Sequence, residues 1–190
     1  MSATGSLRVG VVDLGGNTAR LLIAEMGPWG LERIAQERVV LGLGAEIERL
    51  GRISKSKLTA AATTVAALHS HAHDAGCAHV EVLVTSPGRQ NANRSALERS
   101  LSRGTPKLIR FVTPHEEARL AYAGAVSCAP SEAGNVAVCD VGGGSTEIAI
   151  GAPTEAPAWC RSFCVPLEVA AGGLREGAAL TLLSQPAAAA

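Results

Sequence analysis

Two stretches of this chain set the same residue types at the same spacing. The first is Val11-Val12-Asp13-Leu14-Gly15-Gly16-Asn17-Thr18 and the second, 127 positions later (140 − 13), is Val138-Cys139-Asp140-Val141-Gly142-Gly143-Gly144-Ser145-Thr146. In each, an apolar run ends in an aspartate, glycines and a hydroxyl follow, and a second apolar run begins, Leu21-Leu22-Ile23 or Ile148-Ala149-Ile150. That order reads as strand, tight turn, strand. Glycines at the turn let backbone N–H groups approach an anion with no Cβ in the way, and the aspartate offers a carboxylate to a metal ion or a water. Two such loops facing each other would grip phosphate. Either loop alone reads as an ordinary glycine hairpin turn; polar and structural positions repeated together favour the phosphate reading.

The elements around the loops follow an α/β order. Strands are predicted over 7–13 and 19–26, with Leu31 to Val40 as a third strand of an antiparallel meander, and Gly42-Leu43-Gly44 breaking the pattern. From Ser54 to about Ala75, Leu58, Ala61, Val65 and Leu68 recur at helical spacing, opened by a Ser54 or Ser56 cap and closed by Gly76. Val80 to Val84 is apolar enough for a buried strand. It ends in a loop, Thr85-Ser86-Pro87-Gly88-Arg89, at the strand's carboxyl end, where open α/β sheets bind ligands. A second helix is predicted over Asn91 to Leu101 and a short strand over Leu108 to Val112. Thr113-Pro114-His115-Glu116 then reads as a capping box opening a helix that runs to about Val126. The polar stretch Ala129 to Gly134 is the expected boundary between a first lobe, 1–128, and a second, 134–190, whose strands fall near 136–140, 145–151 and 157–165.

Composition narrows the partners. With 190 residues, 47% of them hydrophobic, the chain can build a real core, and with 17 basic against 17 acidic residues it has no polybasic surface for nucleic acid or membrane. The first residues hold no apolar signal region and no apolar run approaches the about 20 residues of a membrane span, so a cytoplasmic location is the default expectation. Cys77, Cys128, Cys139, Cys160 and Cys164 show no C-x-x-C spacing, which fits reduced thiols better than a disulfide framework or a zinc ribbon. On a helix His69 and His73 share a face while His71 points away, so surface histidines are the expectation and two-ligand metal binding the alternative.

Four segments in order carry a resemblance: Val12 to Leu21, Thr85-Ser86-Pro87-Gly88-Arg89-Gln90-Asn91-Ala92-Asn93, Thr113-Pro114-His115-Glu116-Glu117-Ala118-Arg119-Leu120, and Asp140 to Glu147. From about residue 7 to 168 the chain resembles the N-terminal part of the exopolyphosphatase and guanosine pentaphosphate phosphatase (Ppx/GppA) family, in the fold superfamily of actin, sugar kinases and Hsp70. The resemblance implies an actin-like, ribonuclease H-like α/β fold of two lobes with a phosphate cleft between them. It implies hydrolysis of the terminal phosphoanhydride of inorganic polyphosphate or pppGpp. Such chemistry needs the transferred group's charge neutralised and a water aligned with the breaking bond.

By the same resemblance Glu117 is the catalytic base, and Glu116 keeps the capping role. Without it, both glutamates read as acids favoured in a first helical turn. Phosphate would be held by Gly15, Gly16, Asn17, Thr18, Arg20, Arg89, Gly142, Gly143, Gly144, Ser145 and Thr146. Asp13, Asp140 and Glu147 would surround a divalent cation, Mg²⁺ by implication. Glu147 also reads as an exposed strand residue alternating with Ile148, Arg89 as a solvated loop arginine, and Arg119 as a helix-surface or lobe-bridging residue. Gly16 stands where the family usually has serine, which removes one hydroxyl contact.

After Phe163-Cys164-Val165-Pro166-Leu167 the family continues, whereas this chain offers one short helical candidate beyond Gly172 and ends in four alanines. The second lobe therefore reads as truncated. An apolar face of its sheet is expected to stay exposed unless a second copy or a partner chain covers it. Three readings follow: a hydrolase, a phosphate-binding regulatory pseudo-enzyme, and a fragment completing a partner chain. An ATP-dependent sugar kinase fits less well, since the adenosine-binding half of that fold is missing from the pattern.

Overall fold

The first glycine loop joins β1 (Arg8–Leu14) to β2 (Thr18–Gly27), antiparallel from Arg8↔Glu25 to Leu14↔Ala19. Along β1, Gly10, Val12 and Leu14 are buried on one face while Val9, Val11 and Asp13 are half-buried on the other, the period-2 pattern of a strand packed on one side. β3 (Gly30–Val40) completes the meander as an edge strand. The computed structural model describes residues 7–28, 30–104, 109–128 and 134–163.

Where Gly42-Leu43-Gly44 was expected only to break the pattern, a short helix begins: α1 (Leu43–Leu50), bounded by left-handed glycines at Gly42 (φ 63°) and Gly51 (φ 66°). Leu43 and Ile47 bury its inner face. The long helix α2 (Lys55–Asp74) starts as predicted, with Ser54 Oγ accepting from Lys57 N at 3.4 Å, and buries Leu58, Ala61, Val65, Leu68 and Ala72 against the sheet. It returns the chain to β4 (His79–Val84), which pairs parallel to β1. The predicted loop after β4 is instead a five-residue helix, α3 (Ser86–Gln90), with Pro87 in its first turn. Helix α4 (Arg94–Ser102) buries Leu97 and Leu101, and β5 (Ile109–Phe111) pairs parallel to β4. The sheet order is β3-β2-β1-β4-β5.

By contact the chain divides into two compact units, Met1–Phe111 and Val112–Ala190. The division falls ahead of α5 (Pro114–Cys128), where the sequence reading put it behind that helix, at 129–134. The reason is packing: Tyr122 of α5 is buried with Val138 and Ala149 of the second sheet, and Ala125 and Val126 pack beside them. That sheet, ordered β6-β7-β8, consists of β6 (Val136–Val141), β7 (Thr146–Gly151) and β8 (Trp159–Phe163). Helix α5 covers one of its faces. On the other face Ile150, Trp159 and Phe163 are exposed among the described residues. The start of the predicted strand at Leu108, the connection 129–133, Cys164 to Leu167 and the helical candidate after Gly172 lie outside the described residues. Among the described residues no helix is long and apolar enough to cross a membrane.

Candidate active site

The two glycine loops are the same turn in three dimensions. Gly15 N donates to Thr18 O at 2.9 Å, and Gly142 N donates to Ser145 O at 2.8 Å. Adding 127 to the first hairpin's pairs, from Val9↔Ala24 to Leu14↔Ala19, gives the second's, from Val136↔Gly151 to Val141↔Thr146. At the equivalent positions a Cβ on Gly142 would stand 3.0 Å from Ser145 O, a tight approach that favours glycine, whereas one on Gly15 would stand 3.4 Å from Thr18 O, in ordinary contact.

In the first unit the loop is pinned from two sides. Its carbonyls accept from the segment that opens α1, Asn17 O from Leu41 N (2.7 Å) and Gly42 N (2.9 Å), Gly16 O from Gly44 N (2.5 Å). On the other side Thr85 N and Oγ1 both donate to Leu14 O, at 3.2 and 3.3 Å. Thr18 is buried and its hydroxyl accepts from Arg20 Nε at 3.3 Å, so Thr18 orients the arginine. Arg89 lies in the last turn of α3, half-buried, and is a helical residue where a loop arginine was expected. Asn93, in the same sequence segment as Arg89, is a clamp elsewhere: its Oδ1 accepts from Ile53 N at 3.0 Å and its Nδ2 donates to Ile53 O at 2.8 Å.

Directly opposed residues of antiparallel strands share a face. One pair before the first turn, Asp13, Arg20 and Arg38 form a row across β1, β2 and β3. At the equivalent place in the second unit the row is Asp140, Glu147 and Ser162, across β6, β7 and β8. One row carries an acid and two guanidinium groups, the other two acids and a hydroxyl. The first favours an anion and the second a cation.

The second unit's set is more buried than its sequence suggests. Asp140 is exposed, but Glu147 is 2% exposed, which excludes its reading as a solvated strand residue. Ser162 Oγ donates to Glu147 Oε1 at 2.6 Å. Ser145 is buried, while Gly142, Gly143, Gly144 and Thr146 are half-buried. The charges of Asp140 and Glu147 reach Cys139: burial first, then the two carboxylates, push its thiol pKa up. Thr113 Oγ1 accepts from Glu116 N at 3.2 Å, the cap expected for α5. Glu117 follows in the first turn, half-buried, with Oε2 shielded from solvent. Arg119 is exposed on the helix.

The family model for the Ppx/GppA phosphatase family matches residues 22–159. The chain belongs to that family. It is 34% identical over 157 residues to exopolyphosphatase 2 of Mycobacterium tuberculosis, covering 76% of this chain and 48% of that protein. It is 25% identical over 150 residues to exopolyphosphatase 1 of Mycobacterium leprae, covering 78% and 44%. The crystal structure of an exopolyphosphatase from Cytophaga hutchinsonii superposes with a TM-score of 0.76 at 27% identity, covering 84% of this chain and 51% of that one. The Ppx/GppA family member of Aquifex aeolicus gives 0.75 at 23%, covering 88% and 54%. The α/β class expected from the sequence is therefore the fold found, shared with solved Ppx/GppA structures. The chain spans about half the length of the curated relatives it matches.

For this Ppx/GppA chain the donor chemistry fits a hard divalent cation. Asp140 and Glu147 supply carboxylate oxygens from one face of adjacent strands, and Mg²⁺ is commonly held by one or two carboxylates together with water and substrate phosphate. Among the described residues no three His, Cys, Asp or Glu gather to hold an ion by themselves, and His71 instead pairs with Glu37 of β3. Two residues went unnoticed in the sequence, Arg38 and Ser162. Only strand register shows them, as the third members of the two rows.

Proposed function

We propose that this chain provides the phosphate-gripping and water-activating residues of an exopolyphosphatase, acting on the terminal phosphoanhydride of inorganic polyphosphate, with pppGpp as the alternative substrate of the same chemistry. The observation that carries the reading is the pair of register-identical hairpins whose equivalent rows differ in sign. Gly15, Gly16, Asn17 and Thr18 would present backbone donors to phosphate, with Arg20 and Arg89 as charge-assisted partners. Gly142, Gly143, Gly144, Ser145 and Thr146 would do the same from the second unit. Asp140 and Glu147 of the second unit would hold Mg²⁺, whose chemistry is to neutralise charge on the phosphate oxygens.

Glu117 acts as the base. It takes the proton of a water whose oxygen bonds to the terminal phosphorus as the anhydride P–O bond breaks, releasing orthophosphate and a chain one unit shorter. Gly16, lacking a hydroxyl, leaves the first loop reliant on backbone donors. The test is orthophosphate release from polyphosphate with Mg²⁺, in parent and Glu117→Gln. Loss of release with retained polyphosphate binding supports the base assignment, and unchanged release refutes it.

Gly16, which removes a hydroxyl from the first loop, favours a second reading, a phosphate-binding regulatory protein without turnover. Binding without release in the parent chain decides for it. The exposed Ile150, Trp159 and Phe163 favour association, either as a homo-oligomer or with a partner chain that this sheet completes, in the cytoplasm. Sedimentation of the purified chain tests this, and a monomer at micromolar concentration counts against it.

A further inference from the structure

Glu147 occupies the central strand of its sheet, with Asp140 on one side and Ser162 on the other, all facing the same way. Its side chain is 2% exposed. A carboxylate in such a place must be fixed by donors to remain an anion, since burial disfavours charge. Ser162 meets that need with an O–H bond to Oε1 of 2.6 Å, in the short range of charge-assisted O–H···O⁻ bonds. The terminal torsion of a glutamate is broad and two-fold, so a donor on one oxygen decides where the other points. Ser162 approaches from the β8 side, and Asp140 lies on the β6 side.

We infer that Ser162 is a positioning residue for cation binding: by holding Oε1 of Glu147 it turns Oε2 toward the β6 side, where it joins the Asp140 carboxylate as a second oxygen ligand. The inference rests on the proposed role of Asp140 and Glu147 as cation ligands, and it adds a residue that neither motif nor spacing singles out. Hydrogen-bond partners that orient ligating carboxylates typically change metal affinity by about 10- to 100-fold when removed.

The experiment measures Mn²⁺ affinity of the full chain, by the electron paramagnetic resonance signal of free Mn²⁺, in parent, Ser162→Ala, Ser162→Thr, Ser162→Cys and Glu147→Gln, with circular dichroism to confirm folding. Ser162→Ala is expected to weaken Mn²⁺ binding about tenfold or more. Ser162→Thr, which keeps the hydroxyl, is expected to stay within about twofold, and Ser162→Cys, a weak donor of similar size, to fall between. A purely structural serine would lower the melting temperature in EDTA and leave the affinity of the folded protein unchanged. Equal affinities for parent and Ser162→Ala, or for the Thr and Cys variants if the alanine variant does not fold, overturn the inference while leaving the ligand role of Glu147 standing. A parent that binds no Mn²⁺, or binds it no better than Glu147→Gln, overturns the ligand role and the inference together.

Discussion

Gly88 is where packing in the first unit reaches the proposed site. It sits buried in α3, and a Cβ there would lie 2.4 Å from Phe111 Cδ1, 3.0 Å from Cε1 and 3.2 Å from Val84 Cγ1. Carbon atoms pack best at roughly 3.5–4.0 Å, so the closest contact is short by more than an ångström. The ring cannot move without cost, because the Arg94 guanidinium lies over its face at 4.5 Å from the centroid. Giving up that contact costs about 0.5–1 kcal/mol and an off-rotamer ring a similar amount. Overpacking of this kind costs about 1–3 kcal/mol, offset by about 0.5–1 kcal/mol from replacing a helical glycine with alanine. Gly88→Ala is therefore expected to lower stability by about 1–2 kcal/mol, read from urea unfolding followed by circular dichroism. Phe111→Leu in the same chain should relieve the clash, giving a favourable coupling of about 1 kcal/mol in a double-mutant cycle. If α3 yields instead of the ring, Arg89 moves with it, and tripolyphosphate affinity falls by roughly tenfold, the worth of one charge-assisted hydrogen bond. Gly10→Ala is the control: its Cβ would meet Ala72 Cβ at 2.9 Å, on the face of the sheet that packs against α2. A Gly88→Ala protein as stable as the parent refutes the packing argument. Equal losses of tripolyphosphate affinity in the Gly88 and Gly10 variants refute the link to Arg89.

Further outcomes are expected from the same unit and from the thiols. Glu46 accepts from Ser54 N at 2.8 Å and from Ser54 Oγ at 2.9 Å. That backbone N–H chiefly holds its pKa below the usual 4.5, with burial opposing and the Ser54 hydroxyl, Lys57 and Arg49 assisting. A depressed folded-state pKa means stability that is present above the unfolded value and is lost as pH falls through the folded one. Glu46→Gln should thus cost about 1 kcal/mol near pH 7 and converge with the parent in acid, measured by urea unfolding from pH 7 downward. Asn93→Ala removes both bonds to the Ile53 backbone and should cost about 2–3 kcal/mol by the same assay, with Asn93→Asp, which keeps only the acceptor, falling between. Burial pushes the Cys77 thiol up, while Cys128 is exposed, so alkylation mapped by peptide mass should label Cys128 in the native protein and Cys77 only as the chain unfolds. Equal labelling rates at the two would contradict the burial of Cys77.

What the sequence makes legible here is what is local. The paired hairpins can be read because turn chemistry and strand alternation are set within a few residues, and an offset of 127 repeats both together. The helices α1 and α3 escape notice for the same reason: Gly42 before one and Ser86-Pro87-Gly88 in the other read as breaks. Yet a left-handed glycine can open a helix, and Gly88 is demanded by Phe111, a neighbour distant in sequence. The boundary is misplaced because the amphipathic pattern of α5 says that it buries a face but not against which sheet, and the strands it covers come later in the chain. The two rows are harder still to foresee. Arg20 and Glu147 hold equivalent places, but Arg38 and Ser162 are separated by 124 positions (162 − 38), three short of the repeat, because the third strands return through connections of different length. A comparison of the repeats residue by residue therefore sets Arg38 beside Val165, outside the described residues, and never pairs it with Ser162. Only the hydrogen-bonded register brings a hydroxyl to the carboxylate of Glu147 in one unit and a second guanidinium beside Arg20 in the other. The opposite electrostatic bias of two otherwise identical hairpins is thus a property of their third strands as much as of the repeated loops.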